Sequence, residues 1–540
     1  MEKWISDQRN GTFVNPILYA DYSDPDAIRV GEDYFMVASS FCNTPGLPIL
    51  HSRDLVNWKV INYALKNIPY ERYETPQHGC GVWAPAIRYH EGEYIIFFPM
   101  PDEGIFVVKT KDPWGEWSQP HAIFEGKGWI DPCPFWDDDG RAYMVSGVAK
   151  SRIGYKSVLH VTEMTPDCDH LLEKEHRIFD GNTCGQETIE GPKLYKRNGY
   201  YYIFAPAGGV KQGWQVVLRS KNIYGPYEFR KVCEQKDTIV NGPHQGAYVD
   251  TPEGEDWFLH FQDVYAAGRI VHLQRMRWVD DWPVIGEARE GESCGKPMLI
   301  CQKPKVAEAG ERKAGESVFA PDASDEFDGD ELSLQWQWNA NHHKEWYSCE
   351  AKNSCIRLNS IKMADSISGQ PNLLLQKWHA PEFTAQTKLN VENLKDGDLA
   401  GLINMGVTYG ALAVYRDQDR YGLMTLQGEQ KFEKEQAIAK DQEQVILPEL
   451  KFEGTGKQIY FRYHVCRVPS TKYNTDGPFR FAIPREQVIL SYSMDGMNFI
   501  PVLSLEPSAG RWVGVKEGLF ICNRKKEKGG FVLADYFRMS

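Results

Sequence analysis

The chain has no excess of positive charge. Its formal net charge is −13, so it has no basic surplus to neutralise phosphates, and nucleic acid is excluded as a partner class. It has no apolar run near the ~18 residues needed to span a bilayer. The longest, such as Tyr94 to Phe98, have strand length, which excludes a membrane-spanning helix. The 12 cysteines never fall in a C-x-x-C pair. That argues against a structural zinc site and leaves mostly buried, reduced thiols. The N-terminus, MEKWISDQRNGTF, has no apolar signal region. A cytoplasmic protein is therefore expected, although a secreted one without its leader reads the same. No helix-length amphipathic segment dominates.

Aromatic residues are abundant, at 13% with 16 Trp and 27 Tyr. They suit sheet packing and flat ligand faces such as sugars. The length of 540 residues allows three or four domains, or two large ones. A repeat decides between them. A turn glycine followed by an aromatic-rich strand appears as Gly31-Glu-Asp-Tyr-Phe-Met-Val and Gly92-Glu-Tyr-Ile-Ile-Phe-Phe. It returns at Gly140, Gly199 and Gly254, with spacings of 61, 48, 59 and 55 residues. Three units continue into a turn closed by an aromatic: Ser52 to Trp58, Thr110 to Trp117 and Ser220 to Tyr227. Several short strands per unit at this period predict propeller blades, and five units predict five blades.

The fold class expected is thus all-β: a five-bladed β-propeller over residues 1–302, a linker over 303–318 and a β-sandwich over 319–540. The linker is charged and small (KPKVAEAGERKAG), and beyond Phe319 the repeat is gone. Strand-like stretches such as Phe383 to Leu389 and Val488 to Tyr492 follow, divided by turn clusters. Lys431 to Lys440 reads either as a short helix or as a solvated strand and loop.

The residues just before each repeat glycine carry the chemistry. They are Asp24-Pro-Asp, Trp83-Ala-Pro, Asp131-Pro, Glu190-Gly-Pro and His244-Gln-Gly, seven to ten residues upstream. The innermost strand of each blade lines the central channel. Equivalent positions therefore converge, and three carboxylates, an indole and an imidazole face one pocket. Isolated buried charges are costly, so such a cluster is solvated, paired or catalytic. Paired carboxylates beside an aromatic platform suit glycoside hydrolysis: one acid protonates the departing oxygen, and one carboxylate activates water or attacks carbon. A third negative charge would raise the pKa of the acid.

At these residues the chain resembles glycoside hydrolase family 43. The matching signatures are Asn15-Pro-Ile-Leu, Asp24-Pro-Asp, His51 to Trp58, Trp83-Ala-Pro, Asp131-Pro and Glu190-Gly-Pro. The second lobe resembles the sandwich that follows the propeller in many members, from Asp325-Glu-Phe-Asp-Gly to Ala534-Asp-Tyr-Phe-Arg-Met. The resemblance implies an inverting enzyme with Asp24 as general base, Glu190 as general acid and Asp131 as pKa modulator. It implies Phe41 and Trp83 as sugar-facing walls, and His244 and Arg269 as groups that bind the sugar or hold the modulator. Sandwich-bearing members are typically exo-acting α-L-arabinofuranosidases or β-D-xylosidases, so the implied partner is an arabinose- or xylose-containing glycan of the hemicellulose type. Cys42 and Asn43 are smaller than the aromatics of xylosidase-like relatives, which favours arabinofuranoside. No cofactor is implied as a requirement. Some members hold structural calcium, and Asp325, Glu326 or Asp535 offer hard-cation chemistry, against ordinary turn and surface roles.

Two other readings compete. A β-fructosidase shares the propeller and carboxylate trio, but its first motif sets Asn beside the Asp, unlike Ser23-Asp24-Pro25. A non-catalytic carbohydrate-binding protein would not need all three carboxylates.

Overall fold

A computed structural model describes residues 3–306, 320–434, 436–452, 456–470, 473–474, 481–482 and 485–540. The first lobe consists of five four-stranded antiparallel sheets, each built from consecutive strands. Blade I holds Asp26–Val30, Asp33–Val37, Gly46–Ser52 and Lys59–Leu65. Blade II holds Ala86–His90, Glu93–Met100, Gly104–Thr110 and His121–Glu125. Blade III holds Trp129–Trp136, Ala142–Val148, Val158–Met164 and His176–Asp180. Blade IV holds Lys193–Arg197, Tyr200–Ala207, Trp214–Ser220 and Glu228–Glu234. Blade V holds His244–Asp250, Asp256–Asp263, Arg269–Val279 and Trp282–Ile285.

The repeat glycines lie in the turn between the first and second strand of each blade. In blades II and IV that turn has two residues, Glu91-Gly92 and Asn198-Gly199, all at positive φ. This is the type I′ pair whose twist matches the strands it joins. The second strand is buried on both faces. Ile96 and Phe98 pack toward blade I, while Ile95 and Phe97 pack toward blade III. A strand covered on both sides needs a continuous apolar run, which is why Tyr94 to Phe98 does not alternate. Three further interblade layers repeat the scheme, one of them built from Tyr202, Phe204, Phe258 and Trp282.

The ring is tied by its ends. Thr12–Val14 pairs with Ile300–Gln302. The Asn15 amide donates to the carbonyls of Leu273 and Met298, and its oxygen accepts from Leu273 N–H. Lys303, where the linker is expected to begin, bonds Asp7 and Asp54 across the seam. Most of that expected linker falls in residues 307–319, outside the described residues.

The second lobe is a β-sandwich. One strand path runs from Gln442–Leu447 through Thr408–Asp417, Lys516–Asn523 and Phe383–Asn390 to Ile500–Leu505. It folds over so that Leu412 and Val414 share a core with Val465, Leu490 and Leu503. The segment at 431–440 is a strand hairpin, Lys431–Glu433 against Gln436–Ile438, not a helix. The sandwich core extends into the propeller: Tyr19, Ala266, Ala267 and Ile270 pack in the same cluster as Trp336, Trp338 and Trp378.

Candidate active site

The innermost strands start at one end of the propeller, and the three carboxylates gather there. Asp24, Asp131 and Glu190 line a single cavity of about 400 Å³, together with Phe41, Trp83 and Arg269. Local backbone aims them. Asp24 sits at φ +55 before Pro25. Asp131 sits at φ +56 inside Trp129–Trp136, where the strand register slips between Ile130 and Cys133. A bulge of this kind turns a side chain out of the ladder, and non-glycine residues in this region carry strain that recurs at functional sites.

Each carboxylate has distinct partners. Asp24 accepts from Ser39 Oγ at 2.6 Å and from Arg269 Nη1 at 2.9 and 3.1 Å. Asp131 accepts the Gly191 N–H at 2.8 Å. Glu190 Oε1 lies 2.9 Å from His244 Nε2. Burial pushes the Asp131 carboxyl up to about 7; the negative charge of Glu190 adds to this, and Asp24 contributes further in the same direction. A buried carboxyl beside a second negative charge resists ionisation, which is the cause of the rise at Asp131. Burial depresses the Arg269 guanidinium, but the surrounding carboxylates, Asp24 first, outweigh it and hold its pKa above the ordinary value.

His244 and Arg269 differ in placement. Arg269 lines the cavity and holds Asp24, not Asp131. His244 is fully buried, does not line the cavity, and stands behind Glu190. Its ring therefore orients a carboxyl rather than touching a sugar.

The walls are aromatic. Phe41 and Trp83 have ring centroids 6.2 Å apart, and Arg152 lies 5.1 Å over the Trp83 ring, anchored by Asp102. Trp512 of the sandwich reaches in, with its ring 6.4 Å from Trp83. Its loop is docked by Asp21, which accepts from Gly514 N–H at 2.8 Å and Arg269 N–H at 2.9 Å. The approach demands glycine: a Cβ on Gly514 would sit 2.7 Å from Ala267 O. Cys42 and Asn43 face the sandwich, not the cavity. Asn43 bonds the Trp338 carbonyl and Lys516, and the Cys42 thiol faces the Asn339 carbonyl. Their small size therefore does not widen the sugar pocket, and the arabinofuranoside preference drawn from it loses its basis.

Ser39, Arg152, Gln245 and Trp512 were not singled out from sequence. Ser39 and Gln245 lie within two residues of Phe41 and His244, so the motifs point near them. Trp512 is more than 400 residues from Trp83 in the chain; its only sequence mark is the Gly510-Arg-Trp-Val-Gly514 setting. Among the described residues, no three His, Cys, Asp or Glu side chains group as a metal site. Asp325 accepts from Trp336 Nε1, Glu326 pairs with Arg538, and Asp535 pairs with Lys388. Each thus serves a separate contact within the sandwich.

Comparison with known proteins adds to this geometry. A family model described as glycosyl hydrolases family 43 matches residues 13–283. One described as the β-xylosidase C-terminal concanavalin A-like domain matches 324–540. A putative β-xylosidase of Xylanibacter ruminicola is 38% identical over 77% of this chain and 75% of its own. A non-reducing end α-L-arabinofuranosidase of Bacteroides ovatus is 28% identical over 73% of each chain. The crystal structure of a mutant of the family 43 protein BlXynB from Bacillus licheniformis superposes with a TM-score of 0.77 at 23% identity. It covers 98% of this chain and 99% of its own, which supports the two-lobed fold.

Proposed function

Because the chain belongs to glycoside hydrolase family 43, we propose that it removes terminal pentose, β-D-xylose or α-L-arabinofuranose, from hemicellulose-type glycans with inversion. The observation that carries this is the meeting of Asp24, Asp131 and Glu190 in one cavity walled by Phe41, Trp83 and Trp512. Asp24 is the general base. Both its partners donate hydrogen bonds, which suits a carboxylate that must face an attacking water. Glu190 is the general acid, oriented by His244. Asp131 is the modulator. The Gly191 N–H holds its carboxyl beside Glu190, where the repulsion between the two disfavours ionising both. Trp512 narrows the cavity from the sandwich side, which suits one terminal sugar and exo action.

The named relatives include both a xylosidase and an arabinofuranosidase. The test is a panel of 4-nitrophenyl β-D-xyloside, α-L-arabinofuranoside and related glycosides, with the first-formed anomer followed by NMR. Release of pentose with the opposite anomeric configuration is expected. A retained anomer, or sucrose hydrolysis without pentoside hydrolysis, overturns the reading.

A further inference from the structure

One wall of the cavity is cationic in a protein that is otherwise acidic. It is formed by the segment between the second and third strands of blade III, from which Ala149, Lys150, Ser151 and Lys156 line the cavity. Lys150 and Lys156 are exposed. Among the described residues, neither makes an ion pair. This is notable beside the many surface cations that do, such as Arg53 with Glu32 and Asp33. Lys156 is held in place all the same. Its ammonium donates to Thr188 Oγ1 at 2.7 Å, and the next residue, Ser157, accepts the Thr188 N–H through its hydroxyl at 2.7 Å. Thr188 itself lines the cavity at φ +59.

Thr188 stands two residues before Glu190 on the same loop. With Glu190 as the proton donor, the leaving group departs along the Glu190 side, so Lys150 and Lys156 flank the space the leaving group occupies. The pocket floor carries three carboxylates and the whole chain a charge of −13. An anionic substrate is repelled by both unless local cations reverse the sign of the field where its charge comes to rest. We infer that Lys150 and Lys156 form a leaving-group subsite selecting aglycones that carry a carboxylate, the chemistry of uronate-substituted glycans. The inference rests on the proposed role of Glu190.

The test uses the full chain and matched pairs of aryl β-D-xylosides and aryl α-L-arabinofuranosides. In each pair the leaving group carries either a carboxylate or its methyl ester. At low ionic strength the carboxylate is expected to show about three- to tenfold higher kcat/KM, the effect of one or two solvent-exposed ion pairs. Raising the salt to about 0.5 M should erase the preference, because exposed charges are screened within a few ångströms there. A purely steric or leaving-group effect would survive the salt. The Lys150→Ser, Lys156→Ser double variant should bring the ratio close to one, and the Lys-to-Arg pair should keep it. Should the serine variant fail to fold, the salt comparison on the wild type decides alone. Equal rates for acid and ester, or a salt-independent ratio, overturns the inference while leaving the glycosidase reading intact. Absence of hydrolysis of every pentoside, neutral ones included, overturns that reading and takes the inference with it.

Discussion

At Asp131 a carboxyl is held near neutrality by burial and by the charge of Glu190. A carboxyl raised in the folded state binds its proton more tightly than in the unfolded chain. The stability it contributes is full below the ordinary carboxylate range and is lost as pH rises through about 7. Asp131→Asn removes that loss and keeps an acceptor for Gly191 N–H. The variant should melt at higher temperature than wild type at pH 8, by roughly 1–3 kcal/mol of stability, and no higher at pH 4. Its activity should fall by about two orders of magnitude or more. Calorimetry at the two pH values checks the first expectation; no gain at pH 8 would refute the raised carboxyl.

Glu190 and Asp24 differ in what they supply. Removing either should cost about 10²–10⁴-fold on natural glycosides. With an activated aryl leaving group, departure needs little protonation, so Glu190→Ala should recover much of its rate and Asp24→Ala should not. Equal losses on both substrate types would undo the assignment. The positions of these groups were legible because they keep one register in a five-fold repeat. Their partners were less so. His244 was visible as a repeat position, but its place behind Glu190 rather than at the sugar depends on which way a bulged strand turns. The bulge between His244 and Gly246 is a matter of register, not of composition.

At the scale of elements, the turn before Arg269 and the sandwich loop carrying Trp512 meet at Asp21. This one carboxylate, 4% exposed, holds the backbone of both. Asp21→Ala leaves two buried N–H groups without their acceptor. It should destabilise the fold by roughly 2–5 kcal/mol and raise KM as Trp512 loosens. Steady-state kinetics below the melting temperature separates the two effects; an unchanged KM would show that the loop stays docked without it. This joint was illegible in sequence because its parts come from residues near 21, 268 and 514. Cys42 and Asn43 illustrate the same limit. They follow the pocket wall Phe41 directly in the chain, yet their side chains belong to the joint with the sandwich.

For the whole molecule, the interblade layers explain why the propeller was readable. A strand buried on both faces must be apolar throughout, so each blade announces itself. Sandwich strands such as Phe383–Asn390 and Gln458–Val468 alternate buried with part-exposed positions, a fainter mark than a continuous apolar run, and this lobe was readable mainly by its ends and turns. The two lobes nevertheless share one apolar core, through Tyr19, Ala266, Ala267 and Ile270. Burial lowers the pKa of Lys516, which spans the joint to Asn43. Units that share a core unfold together. Scanning calorimetry should therefore show one transition for both lobes, and two resolved transitions would show that the joint is weaker than its packing.

The five turn glycines gain a practical meaning from their position. Gly31, Gly92, Gly140, Gly199 and Gly254 end the innermost strands away from the cavity, all are exposed, and none has an atom within 4 Å of where a side chain would begin. The propeller thus presents a ring of tips on its blind side. The glycines sit at positive φ and must stay glycine, so a tether belongs on exposed residues beside them, such as Glu32 and Asp139, where it would hold the enzyme with its mouth facing outward.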